Sequence, residues 1–336
     1  MVSILDASVG FALESVYDTG VTVARWLEYK SEGLDFKPKR KQGQGLRVGA
    51  RVARAGRRVT TFQDAGGPVE FEALSKGQGL MWQALMGAGA STLVSAATYQ
   101  QVFTLGDLLQ PVTIQKGVPR LNLTDGSVTI DPITFTGCVA TDFELTGGQD
   151  ILNVKTNWDA RSVATATAYA TPSFSTGANL FSFAGASLYS GTFTAPTTTA
   201  LASAATPLAN VTAWSCKVDR GATKERAFFG GAGKKAKPVA GEQKPTGKLD
   251  IEYTDIVFRD AFMADTDMTL LITYTAGALG VGTETLQIAI PDIRLEGELP
   301  KASGDIPKMS CTFTGLDGLT AAQPLWIVAR TADAAL

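Results

Sequence analysis

Two pentapeptides, Val69-Glu70-Phe71-Glu72-Ala73 and Leu249-Asp250-Ile251-Glu252-Tyr253, constrain this chain more than any other feature. Both alternate apolar with acidic residues. A period of two puts Val69, Phe71 and Ala73 on a core face and the glutamates on the other, which is the pattern of a half-buried strand. Each pentapeptide also follows a Gly-rich basic stretch. Before the first, no acidic residue occurs from Phe36 through Gln63, while Lys37, Lys39, Arg40, Lys41, Arg47, Arg51, Arg54, Arg57 and Arg58 are cationic. Before the second stand Arg220, Lys224, Arg226, Lys234, Lys235, Lys237, Lys244 and Lys248. A short helical pattern comes after each. Ser75 is placed to cap a helix with Leu80, Met81, Ala84 and Leu85 on one side. Asp255 takes the same place before Val257, Phe258, Ala261 and Phe262.

The parallel extends outward. Ala213-Trp214-Ser215-Cys216-Lys217 falls where Gly33-Leu34-Asp35-Phe36-Lys37 falls. Ile293-Arg294-Leu295-Glu296-Gly297 answers Ile133-Thr134-Phe135-Thr136-Gly137. Asp305-Ile306 with Met309, Cys311 and Phe313 answers Asp150-Ile151 with Val154, Thr156 and Trp158. Pieces recurring in one order argue that a single unit occurs twice. The expected fold is mainly β: two tandem β-sandwich or barrel units, each with a short flanking α-helix and a long loop or arm. Residues 1–161 form the first unit with its N-terminal segment and basic arm. Residues 162–210 are an uncharged Ala/Thr/Ser-rich connector, and residues 211–336 form the second unit. A strand, turn and strand are expected over residues 8–30. Further strands are expected at Tyr99–Leu105, Val112–Gln115, Ile133–Phe135, Phe143–Leu145 and Ile151–Trp158, where apolar runs lie between Gly, Pro or Asp. With Phe174, Phe181, Phe183, Tyr189 and Phe193, the connector is too aromatic for a disordered linker and is expected to pack partly on the units.

Composition narrows the chemistry. The 336 residues contain no histidine, which excludes Ser-His-Asp and Cys-His catalysis and imidazole metal ligands. Cys138, Cys216 and Cys311 are widely spaced with no CxxC pair, the pattern of buried reduced thiols. Charged residues make up 18% and the net charge is −2, so global charge does not point to a polyanion binder. The opening residues carry acids and no basic region, unlike a secretion signal, and no run is apolar enough to cross a membrane. Gly43-Gln44-Gly45 lacks the third glycine of a dinucleotide loop, and Gly233-Lys234 and Gly247-Lys248 lack the flanking residues of a phosphate loop. The carboxylate pairs Glu70/Glu72 and Asp250/Glu252 have the spacing of a solvent-facing strand side, and Asp265-Thr266-Asp267 that of a turn. No catalytic, cofactor or metal site is expected.

The basic arm has three readings: a docking arm between subunits, a nucleic-acid contact, or a solvated loop. It lacks the interleaved aromatics of a single-strand platform. As a docking arm it would use Arg47, Arg51, Arg54, Arg57 and Arg58, with Lys234, Lys235 and Lys237 in the second copy.

Gly10, Glu14, Tyr17-Asp18-Thr19, Arg25-Trp26-Leu27-Glu28 and Ser31-Glu32 together resemble the start of tail tube (major tail) proteins of long-tailed bacteriophages. Gly45-Leu46-Arg47, the strand and helix of Val69–Leu85, Phe135-Thr136-Gly137-Cys138, Trp158-Asp159-Ala160-Arg161 and Gly297 with its following strand are similar too. The resemblance implies a virion structural subunit, made in the host cytoplasm, that forms rings whose inner strands join into one barrel. Stacked rings would make the conduit for DNA ejection, and the arm would reach an adjacent ring. Expected partners are copies of itself, the tape measure and tail terminator proteins, and DNA only as a passenger; no membrane is involved. Two units per chain favour three chains per pseudo-six-fold ring, with six chains as the other possibility. Glu70, Glu72, Asp250 and Glu252 are candidates for the lumen or for the arm's receptor. The alternatives are a β-rich nucleic-acid-binding protein that uses the basic arms, and a tail-completion or baseplate protein of related fold.

Overall fold

The computed structural model describes residues 4–49, 51–301, 306–319 and 321–336. The chain is mainly β. Its first part runs through β1 (Ser8–Leu13), β2 (Arg25–Leu27), β3 (Tyr29–Glu32), β4 (Asp35–Gln42) and β5 (Arg58–Glu72) to helix α1 (Gly79–Met86). It continues through β6 (Gly87–Ser95), β7 (Thr98–Leu105), β8 (Val112–Leu121), β9 (Val128–Gly147), β10 (Asn153–Ala160) and β11 (Ser162–Ala164). The second part runs through β12 (Ala186–Thr194), β13 (Ser203–Pro207), β14 (Val211–Asp219), β15 (Lys244–Glu252), α2 (Val257–Ala264), β16 (Met268–Ala278), β17 (Thr283–Gly297), β18 (Lys308–Leu316) and β19 (Trp326–Thr331).

Antiparallel pairing arranges these strands in three ladders. One runs β4-β5-β10-β9-β14-β15-β18-β17. Its first four members come from the first part of the chain and its last four from the second. Behind them lie β2-β1-β8-β9-β11 on one side and β13-β12-β16-β17-β19-β7-β6 on the other. β9 and β17 are long enough to belong to two ladders each. β9 turns from one to the other near Gly137, whose φ of 62° is open to glycine at little steric cost.

The alternating pattern decides what is buried. Val69, Phe71, Phe143, Leu145, Val154 and Trp158 from the first ladder and Val9, Phe11, Val112, Ile114 and Phe135 from behind it share one core with Met81, Trp82 and Leu85 of α1. Leu249, Ile251, Cys216, Met309, Cys311 and Phe313 extend that core without a break. All three cysteines are free and buried, and burial raises the Cys216 thiol to about 12 and the Cys311 thiol to about 11.

Two local expectations need correction. Ser75 does not cap α1: its hydroxyl accepts the Asn179 N–H at 2.9 Å, and Gly77 in a left-handed turn delays the helix to Gly79. Asp255 does serve α2, accepting the Val257 N–H at 3.0 Å. The uncharged segment 162–210 also holds more order than a connector. It supplies β11, β12 and β13, and β12 pairs directly with β16. Asp305, one member of the sequence correspondence, lies outside the described residues.

Candidate assembly interface

Two basic stretches of similar composition fold differently. In the first, β4 and the start of β5 form a hairpin from Asp35↔Gly66 to Gln42↔Arg58, with the cationic loop at its tip. Arg47, Arg51, Arg54, Arg57 and Arg58 are all exposed there, beside the exposed Leu46, Val48 and Val52. Beyond Asp35 and Asp64 at its base, the hairpin carries like charges with no acidic residue among them, and their repulsion keeps the tip extended.

The second stretch folds back. The Gln63 N–H donates to the Gly233 carbonyl at 2.8 Å, and Lys234 Nζ donates to the Ser162 hydroxyl at 2.8 Å. Lys235 is 3% exposed, with Nζ 2.5 Å from Asp64 and in direct contact with Asp159. Lys237 Nζ lies 5.9 Å from the Tyr17 ring centroid. Burial by itself would lower the Lys235 pKa, but the two carboxylates outweigh it and raise it. At Asp159 burial is the larger influence and raises the carboxyl, although Lys235 opposes the shift. Among the described residues Asp159 Oδ2 has no hydrogen-bond partner, which fits a carboxylate that is desolvated more fully than it is paired. Lys234 and Lys235 therefore contact β5, β10 and β11 of their own chain, and Lys237 the Tyr17 ring between β1 and β2. Asp64 and Asp159 receive Lys235, and sequence offered little signal of this because the partners lie far away along the chain.

The seam between the two parts is the β9–β14 pairing. Its register runs from Trp214↔Gly147 through Cys216↔Leu145 and Val218↔Phe143 to Asp219↔Asp142. Trp214 Nε1 donates to the Tyr274 hydroxyl at 2.9 Å, with the rings 6.2 Å apart. Only glycine fits opposite, since a Cβ on Gly147 would lie 2.2 Å from that hydroxyl and 2.3 Å from Trp214 Nε1. Beyond the ladder, the buried Arg220 reaches across the seam to the Met86 carbonyl, at the end of α1, at 2.6 Å and to the Gly106 carbonyl at 2.9 Å.

The four proposed carboxylates, Glu70, Glu72, Asp250 and Glu252, lie on one face of the eight-strand ladder, opposite the core. Signs alternate across this face. Lys155 stands between Glu70 and Glu144, and Glu144 in turn faces Lys217. Lys30 lies 4.0 Å from both Glu70 and Glu72, and Glu252 is opposite Lys308. Burial tends to raise Asp250, but Lys248 at 2.9 Å and the Ser310 hydroxyl at 2.8 Å hold its carboxyl below the usual range. The result is a mixed-charge wall, with neither an acid–base pair aimed at a cavity nor a metal-binding group among the described residues.

The sequence model of the phage tail tube protein family matches residues 5–325. No curated protein matches the chain.

Proposed function

Because the chain belongs to the phage tail tube protein family and so is a structural component of the virion tail, we propose that it polymerises into stacked rings, three chains to a ring. Each chain would supply two copies of one unit. The observation that carries this reading is the strand order. In chain order, β1, β2, β4, β5, α1, β8, β9, β10 and β11 are matched by β12, β13, β14, β15, α2, β16, β17, β18 and β19, with corresponding neighbours in the ladders. Registers agree as well: Phe71↔Val154 and Val69↔Thr156 correspond to Ile251↔Met309 and Leu249↔Cys311. On this reading the second copy begins near Ala186, ahead of the 211 boundary expected from sequence, and the β6–β7 hairpin is an insertion in the first.

A ladder that passes from one copy to the next through β9 and β14 can continue through further chains until it closes. Its charged face would then line the lumen. Alternating signs leave that wall with little net attraction for a polyanion, which favours transit over arrest. Electron microscopy of the concentrated protein tests the assembly. Rings of three chains with six lobes are expected. Six chains per ring would remove the trimer, and a monomer that binds DNA steeply with falling salt would favour the nucleic-acid reading.

The exposed hairpin would join one ring to the next. Replacing Arg54, Arg57 and Arg58 together by Ala is expected to abolish tube growth while leaving the far-ultraviolet circular dichroism and the thermal midpoint of the subunit unchanged. Normal-length tubes from this variant would remove the docking role.

A further inference from the structure

The seam inside the chain serves as a template for the seam between chains. The eight-strand ladder has two open edges among the described residues: the side of β4 away from β5, and the side of Arg294–Gly297 away from β18. Pairing with equivalent partners sets the correspondence. Val218 pairs with Pro245, and Phe36 pairs with Ala65 at the matching place on β5. Phe143 lies opposite Thr156, and Gly297 lies opposite the matching Cys311. Phe36 thus occupies the place of Val218, and Gly297 that of Phe143. One step along, Lys37 stands for Asp219 and Glu296 for Asp142. Two steps the other way, Leu299 stands for Leu145.

Burial differs at these matched places as a missing strand requires. Val218 and Leu145 are buried in the internal seam, whereas Phe36 is 38% and Leu299 53% exposed. We propose, resting on the ring reading above, that β4 of one chain pairs with the end of β17 of a second copy, with Phe36 opposite Gly297 and Lys37 opposite Glu296. Size and charge both agree. The largest side chain on one edge meets the residue with none on the other, where the internal seam sets Val218 against Phe143. Lys37 and Glu296 have opposite signs, where the internal seam has two aspartates. At the neighbouring position Asp35 meets Glu298, and each already has its own cation, Lys37 at 3.9 Å and Lys301 respectively.

The test is a charge exchange read by electron microscopy and sedimentation velocity, with thermal melts as the control for folding. Lys37→Glu and Glu296→Lys are each expected to lower the fraction of chain in rings at least tenfold. The double variant is expected to restore it. As an independent readout, Lys37→Cys with Glu296→Cys should give trimers on a denaturing gel after treatment with a short bis-maleimide, the native cysteines being buried. Single variants that assemble like wild type, a double variant that does not recover, or the absence of cross-linked trimers would overturn this pairing and leave the ring itself standing. A wild-type chain that forms no rings would overturn the reading beneath it.

Discussion

Lys235→Met is expected to destabilise the folded chain by about 3–5 kcal/mol, because it leaves Asp159 buried without its cation. Asp64, which is more exposed, can recover water; Asp159 cannot. The deficit should depend on pH in a defined direction. A carboxyl whose folded pKa is raised favours the folded state at low pH, and that contribution is lost as pH rises through the folded value. Asp159 is already raised in the native chain, and removal of Lys235 raises it further, so the variant should come closest to wild type in acid. In the native chain the raised Lys235 pKa contributes stability that is complete below its unfolded value near 10.5 and is lost at higher pH. Urea denaturation at pH 5 and pH 8 measures the Asp159 effect, and a further series above pH 10.5 measures the Lys235 effect. Adding Asp159→Asn to Lys235→Met should recover most of the loss at pH 8. An unchanged midpoint in the single variant would show that the pair holds nothing together.

Trp214→Ala should cost about 3–5 kcal/mol through the transfer and cavity terms of a large buried aromatic. It also removes the donor that meets the Tyr274 hydroxyl, a group that burial pushes up to about 12. Trp214→Phe separates the two contributions in part, since it keeps a six-membered ring while losing the N–H, at about 1 kcal/mol, together with the rest of the five-membered ring. The position is at the seam, so the same variant should loosen the β9–β14 pairing. Hydrogen exchange at Phe143, Leu145, Cys216 and Val218 should rise more than at Val9 or Phe11. Equal acceleration throughout would mean that the seam is no weaker than the rest of the core.

Local chemistry was readable wherever side-chain alternation alone decides burial. Val69, Phe71, Leu249 and Ile251 point inward as their period requires, and the apolar residues of α1 meet the core. The strands at Tyr99–Leu105 and Val112–Gln115 were readable from runs set between Gly, Pro or Asp. The fate of the two basic stretches was not. Both are rich in Gly and cations, and what separates them is whether acidic partners await. Asp64 and Asp159 meet Lys235 only after β5 and β10 have paired. The segment 162–210 hid its strands because Thr, Ser and Ala serve equally in a loop and on a half-exposed strand. Its partner β16, which gives it shape, lies far along the chain. The seam was invisible for a related reason: nothing local to Gly147 says that an indole from Trp214 will lie against it.

The pairing of β7 with β19 has a consequence in time. Tyr99 is matched with Thr331, so the hairpin after α1 has no strand edge to dock on until β19 has been synthesised. Contacts this distant in sequence make folding slow and postpone its completion. On the ring reading proposed above, this late docking would delay the form of the subunit that joins others through its strand edges.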